Sequence, residues 1–384
     1  MLPFLLACAP LAAGPASRAS VDTAADTAAD TAHPDTDLPA FTGIHLGVGC
    51  APPPAPTHFV LTGGTVVGLG RADLEVRDGI IVTAGTFVIP DGVATIDVTG
   101  AWLAPAAIDS HVHLAYLPEG DELARGGVAA AVDLAAPTSF LAEDHAPLRV
   151  VAAGPMITAV SGYPTEGWGS DGYGLEVTTA AEATAAVDTL HALGARVVKL
   201  PLAGGPTLDD SAFSAAIDRA HALGEPVVSH ALGDTEAARA AALGVDVLAH
   251  TPTEALSAEG AAAWSGRAVI STLGAFGGRA TTLANLAALR DAGATVLYGT
   301  DFGNTRTAGI DAREVALLVD AGLSPSEVLT AMTSAPAAFW GLDMLGSLTT
   351  GKAASLLVLP ADPLVDPTVM AEPTAVYLDG VRID

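Results

Sequence analysis

Between residues 102 and 300 the chain repeats one pattern, a short and almost uninterrupted apolar run followed by an Ala-rich amphipathic stretch. Runs at 102–109, 127–134, 148–153, 195–201, 226–230, 245–250, 267–272 and 294–300 read as buried strands. The stretches from Thr179 to Leu193, Asp209 to Leu223, Asp234 to Leu243 and Thr281 to Ala292 read as helices between them. Strands without an apolar/polar alternation are those of a parallel sheet covered on both faces, so the repeat predicts an α/β protein built on a (β/α)8 TIM barrel over 102–342. On either side the rhythm changes to short alternating runs broken by Gly and Asp-Gly, which are hairpin signals. Such runs start at Phe59 and return at Ser355–Leu359 and Ala375–Arg382, predicting a small β-sandwich domain assembled from both ends, 58–101 plus 343–384.

The first 57 residues fit neither pattern. Leu2 to Ala13 is apolar but too short to span a bilayer, and within residues 1–20 it has the form of a secretory signal without the usual basic start. Leu5-Leu6-Ala7-Cys8 has the form of a lipoprotein signal, which would place a lipidated Cys8 in the membrane. An ordinary signal peptide and a misassigned start are the competing readings. Residues 21–57 hold an Asp-Thr-Ala-Ala repeat and then a Pro-rich run, too poor in large apolar groups to offset chain entropy, so they read as a disordered tether. Together these predict export to the periplasm or cell envelope. His33, His45 and His58 sit in or beside the tether and read as solvated bystanders.

Composition narrows the functions. A net charge of −27 leaves nothing to neutralise phosphates, which argues against nucleic acid as a partner. Cys8 and Cys50 are the only cysteines, so neither a disulfide framework nor a thiolate zinc site can be built. An oligomer is compatible with everything read here.

The candidate chemistry lies at the ends of the strands. Asp109-Ser110-His111-Val112-His113 closes the first, and residues two apart on a strand point the same way, so His111 and His113 can meet one ion. Lys199, His230, His250 and Asp301 follow at the C-terminal tips of four further strands, and in a barrel those tips converge on one mouth. Any one of these alone would read as a satisfied core polar group; six at matching tips do not. Their number exceeds the needs of one tetrahedral ion and suits two divalent ions about 3.5–4 Å apart. Lys199 is the unusual member. Burial disfavours its charged form, and a neutral amine can capture carbon dioxide to give a carbamate that bridges two metals. Zn is the default ion because imidazole suits it. His191 and His221, each in a His-Ala-Leu-Gly helix end, read as capping features, and His145 has no strand-tip context.

With these residues the chain resembles the amidohydrolase superfamily, in particular its imidazolonepropionase-like branch, which includes Xaa-Pro and Xaa-Arg/Lys dipeptidase-like enzymes. The resemblance covers about residues 58–384. It implies one ion on His111, His113 and Asp301, and a second on His230 and His250, with carboxylated Lys199 and a hydroxide between them. It further implies attack of that hydroxide on an amide carbonyl, with Asp301 carrying the proton to the leaving amine and His230 or His250 helping to polarise the carbonyl. Gly346–Ser355 resembles the family's C-terminal signature, with Ser355 where Asp is common, and Ala203 lacks the hydroxyl of a peptidase Ser-Gly-Gly loop.

Substrate readers are expected on the loops beyond the strands. The longest, Thr158 to Glu176, carries Tyr163, Glu166, Trp168 and Asp171; its acids would meet a basic substrate group, while Arg306, near Asn304, would hold a carboxylate. The first reading is a binuclear amidohydrolase of dipeptides or N-acyl amino acids. A cyclic amide or lactone hydrolase is the alternative on the same centre. A mononuclear deaminase would leave Lys199 without a role, and a catalytically silent exported binding protein would be marked by a missing ligand; none is missing.

Overall fold

A computed structural model of the protein describes residues 58–202 and 205–383. The expected signal segment, tether, Cys8, Cys50 and Ala203 lie outside the described residues. Among those described, no helix is long and apolar enough to cross a membrane.

Parallel strands and helices alternate through the middle of the chain as their hydrophobic pattern requires. Ala107–Val112, Val128–Asp133 and Arg149–Ala152 form one parallel sheet. Val198–Pro201, Val227–His230, Val247–Leu248, Ala268–Ile270 and Thr295–Leu297 form another, in that order. Between them Met156–Thr158 pairs with Gly174–Glu176, two strands the apolar pattern did not announce. The expected single eight-stranded ladder is therefore divided. Gly154, at φ 69°, and Pro155, which has no N–H to donate, interrupt it after Ala152. The first and last parallel strands are joined directly: Ser110 N donates to Tyr298 O (2.9 Å), Asp301 N to His111 O (2.9 Å) and His113 N to Phe302 O (2.7 Å).

Helix ends follow local chemistry. The helix Ala180–Leu193 opens with a capping box, in which Thr179 accepts from Glu182 N and the Glu182 carboxylate accepts from Thr179 N, and closes on left-handed Gly194. Asp209 caps Asp210–Ala222, and Ser324, with Glu327 and Pro325, caps Pro325–Met332. His191 and His221 are held at these helix ends by carboxylates rather than by the helix dipole alone: His191 Nδ1 lies 2.6 Å from Glu225 and His221 Nε2 2.9 Å from Asp246.

The apolar run 101–108 is shared between two sheets. Trp102–Pro105 pairs antiparallel with Leu356–Leu359, and only from Ala107 does the chain enter the parallel sheet, so the first barrel strand begins later than its hydrophobicity suggests. Pro105 marks the change. A six-stranded sheet orders Val381–Ile383, Ala375–Leu378, Leu356–Leu359, Trp102–Pro105, Thr65–Val66 and Gly70–Arg71. A four-stranded sheet orders Ile80–Gly85, Asp73–Arg77, His58–Thr62 and Ala94–Asp97. Leu61, Leu74, Ile81, Leu103 and Leu356 form a common apolar core for the two. His58, expected to be free in solvent, instead bonds Glu75 at 2.8 Å. Ser355 donates to Asp379, whose carboxylate also takes a bidentate bond from Arg149 (2.7 and 2.8 Å), tying the C-terminal hairpin to the third parallel strand.

The loop after Asp301 returns against the start of the second parallel strand through a backbone contact between Gly126 and Gly309. A Cβ on Gly126 would stand 2.3 Å from Gly309 Cα, and Ile310 N donates to Gly126 O (3.1 Å). Gly126→Ala is expected to destabilise the fold by about 1–3 kcal/mol through overpacking, measured as a lower urea midpoint; an unchanged midpoint would show that the two backbones separate at no cost.

Candidate metal centre

The strand tips place the predicted ligands together, each by its own local device. Val112 separates His111 from His113 on the first strand and its exit, so the two imidazoles face the same way, with Nε2 atoms 3.3 Å apart. Their other nitrogens are tied back. His111 Nδ1 donates to Ala249 O (2.8 Å) and His113 Nδ1 to Ala135 O (3.4 Å), which turns both Nε2 atoms inward. Asp301 approaches them from the last strand, its Oδ1 3.1 Å from His113 Nε2 and 3.6 Å from His111 Nε2. Its backbone is left-handed (φ 56°), a conformation Asp tolerates better than most residues. Among the described residues this His-His-Asp trio forms a compact group able to hold a metal ion.

The remaining predicted ligands continue the cluster. His250 packs on His111 with ring centroids 4.5 Å apart, and His230 packs edge-on against His250 at 4.8 Å. His250 Nδ1 bonds Thr272 Oγ1 at 2.9 Å, whereas His230 Nδ1 is buried without a partner. Lys199 is 1% exposed, and its Nζ also lacks a partner. Burial pushes its amine down to about 7, against the opposing pull of Asp301 and Asp133. Burial first, then the charge of Lys199, drives His230 down to about 3 and holds His111 well below the usual imidazole range; His250 is lowered likewise, by burial and then by His111 and His230. Buried donors are normally satisfied, so an unpartnered amine and an unpartnered imidazole nitrogen beside a His-His-Asp trio fit a site built for divalent cations.

Asp109 holds the trio in register. Fully buried, it accepts from His111 N (3.1 Å), Thr300 N (3.1 Å) and Thr300 Oγ1 (2.6 Å). Asp133 does the same behind His113, accepting from Leu114 N (2.6 Å) and Ala135 N (3.1 Å). Asp109 stands inside the histidine motif, and its position there was the one sequence signal for a supporting role. Nothing in the sequence marked Thr300, Thr272 or Asp133, because their partners are far along the chain.

An aromatic layer covers the imidazoles. Tyr163 stacks on His230 (4.9 Å between centroids), Trp168 packs on His113 (5.3 Å), and Trp168 Nε1 donates to Tyr163 Oη (2.9 Å). Tyr116 and Phe276, which sequence reasoning passed over, complete it against Trp168 and His250. Glu166 and Asp171 are exposed. Arg306 is exposed and its guanidinium lies 5.8 Å over Tyr116, while Asn304, expected beside it as a substrate reader, donates to Asp301 Oδ1 (3.1 Å). His145 stacks on Phe140, and neither it, His191 nor His221 joins the cluster.

A buried His-His-Asp group at the tips of parallel strands defines a metal-dependent hydrolase acting on carbon–nitrogen bonds, in an α/β protein of TIM-barrel type. The chain belongs to the amidohydrolase family, whose model matches residues 102–383. It is 28% identical over 364 residues to an uncharacterized protein of Mycobacterium tuberculosis, covering 82% of this chain and 94% of that one. A 65-residue stretch is 43% identical to the N-acyl-D-aspartate deacylase of Alcaligenes xylosoxydans xylosoxydans, covering 16% of this chain and only 13% of the deacylase. A solved Xaa-Pro dipeptidase with bound methionine in the active site superposes with a TM-score of 0.74 at 19% identity, over 85% of this chain and 99% of that one.

Thr300→Val removes one of the three donors to a buried carboxylate. It is expected to destabilise the protein by about 1–3 kcal/mol and to lower the metal retained after dialysis, read by elemental analysis; full retention would mean that Asp109 does not set the geometry of Asp301.

Proposed function

We propose that this protein is a binuclear amidohydrolase that cleaves the amide bond of dipeptides or N-acyl amino acids. The observation that carries the reading is Lys199, a buried amine without a hydrogen-bond partner, whose charge is felt by His111, His230, His250 and Asp301. His111, His113 and Asp301 would hold one divalent ion, and His230 and His250 the second, with Lys199, carboxylated by carbon dioxide, shared between them. Zn is the ion we favour. Ions bound there supply an acidified water and polarise the scissile carbonyl.

The chain's own groups then divide the work. Asp301 takes a proton from the attacking water and returns it to the leaving nitrogen, so the amine departs neutral. Because Trp168 Nε1–H can only donate, Tyr163 Oη accepts from it and its own hydroxyl proton is left for the substrate. Burial pushes that phenol up to about 12, so it is a neutral donor throughout the working range and can meet charge developing on the carbonyl oxygen. The aromatic layer of Tyr116, Tyr163 and Trp168 excludes water and favours an apolar substrate side chain. Arg306 at the rim pairs with the substrate carboxylate, and the exposed Glu166 contributes to recognition only of a substrate with a basic group.

The rest of the organisation is part of the same proposal: a β-sandwich from 58–101 plus 343–384, a hydrolase barrel over 102–342, and export with anchoring at lipidated Cys8. The last is tested by fractionation, in which a mature protein found in the cytoplasm ends the envelope assignment.

Purified protein is expected to carry two ions per chain and to hydrolyse members of a dipeptide library. Lys199→Ala is expected to hold one ion or none and to lose at least about a thousandfold in kcat/KM. One ion in both proteins would overturn the binuclear reading. Tyr163→Phe is expected to lower kcat about a hundredfold with KM little changed, as for loss of a single oxyanion donor; an effect confined to KM would make Tyr163 a binding residue only.

A further inference from the structure

Glu314 is a buried carboxylate that the mechanism above does not use, and it lies on the helix Ala312–Asp320, outside the ligand-bearing tips. It is 1% exposed. Its Oε1 accepts from Leu273 N (2.8 Å) and its Oε2 from Gly274 N (2.6 Å), with the Ser271 side chain close by. The neighbouring Arg313 grips the same turn from outside, its guanidinium donating to Gly274 O (3.1 Å). A Cβ on Gly274 would come within 3.1 Å of Glu314 Oε2, so the carboxylate needs a bare backbone there.

The turn that Glu314 holds carries two groups that touch His250, one bonding its Nδ1 and one packing on its ring. Thr272, left-handed at φ 41°, presents Oγ1 to His250 Nδ1 at 2.9 Å, and Phe276 packs edge-on against the His250 ring at 5.0 Å. Ser271 O accepts from Thr251 Oγ1 (2.9 Å), next to His250 in the chain. A left-handed threonine is costly unless its surroundings impose it. Here the imposing contacts are Thr272 N to Gly299 O (3.1 Å) on one side and the Glu314 carboxylate on the other.

We propose that Glu314 is a positioning residue: through the 271–276 turn it sets the orientation of the His250 ring, and thereby the affinity of the metal position to which His250 belongs, without touching substrate or metal. This rests on the two-ion reading above. It is distinct from the Asp109 brace, which acts on the His111, His113 and Asp301 position.

The test compares wild type with Glu314→Gln, in which an amide NH2 faces backbone donors in place of a carboxylate oxygen. Metal affinity is read by competition with a chelator, using Zn2+ alone as probe. The histidine ring resonances of the metal-free proteins are recorded as well. The expected result is a tenfold or greater weakening of one of two binding steps, a moved His250 ring signal, and a fall in kcat with KM unchanged that raised Zn2+ restores. Two unaltered binding steps with an unmoved His250 signal, even at reduced thermal stability, would overturn the proposal. Should Glu314→Gln fail to fold, Glu314→Asp, which keeps the charge but withdraws it by one methylene, is expected to show the same changes in smaller degree; an Asp variant that folds and binds both ions normally would equally overturn it. Wild-type protein binding a single ion would refute the two-ion reading, while the His250 signal would still decide whether Glu314 positions that ring.

Discussion

The site depends on a carboxylate that does no chemistry. Asp109 has three donors on two strands that are neighbours in space but 191 residues apart in the chain. Its burial raises its pKa to about 7, and the bonds from His111 N, Thr300 N and Thr300 Oγ1 pull the other way and keep it tolerable. If they separate, a buried carboxylate is stranded. The protein therefore cannot let the first and last parallel strands part, and that fixed seam brings His113 to 3.1 Å and His111 to 3.6 Å from the Asp301 carboxylate.

A second theme is division of labour between the two ends of the strands. The tips hold unpartnered or strained groups: Lys199 Nζ, His230 Nδ1, and left-handed Thr272 and Asp301. The opposite ends hold ion-paired histidines, His191 with Glu225 and His221 with Asp246, repeated in consecutive units, although Glu225 Oε2 is itself buried without a partner. Left-handed residues thus gather where the candidate chemistry sits on a rigid scaffold.

Much of this was legible in the chain. Alternation of apolar runs with capped helices identified strands such as Val128–Asp133 and Val227–His230 to within a residue, since burial on both faces leaves an unbroken signal there, while the runs 195–201 and 294–300 overran their strands by three residues at one end. Helix starts at Ala180 and Asp210 followed from Thr179 and Asp209, whose effect is local. The nearness of His111, His113 and Asp301 was legible because parallel strands of one α/β fold bring their C-terminal ends together. What escaped depends on partners distant in sequence. The strand 102–109 was misjudged because an apolar run does not say which sheet it enters. Met156–Thr158 was too short to stand out, and Thr272, Thr300 and Glu314 are ordinary residues until the fold sets His250, Asp109 and the 271–276 turn against them. The bond from Asn304 to Asp301 was likewise unmarked in the sequence.

The tied-back imidazoles bear on how the site competes with protons. A metal and a proton seek the same lone pair, and a ligand that is protonated must release its proton before it can bind. His111 and His113 already direct their Nε2 atoms inward, because each Nδ1 is committed to a backbone carbonyl, Ala249 O or Ala135 O. Burial keeps His111, His230 and His250 from becoming imidazolium near neutrality. The folded chain thus presents these three imidazoles in the form a cation needs. Lys199, brought down to about 7 by burial, must likewise release its proton before its amine can join the set.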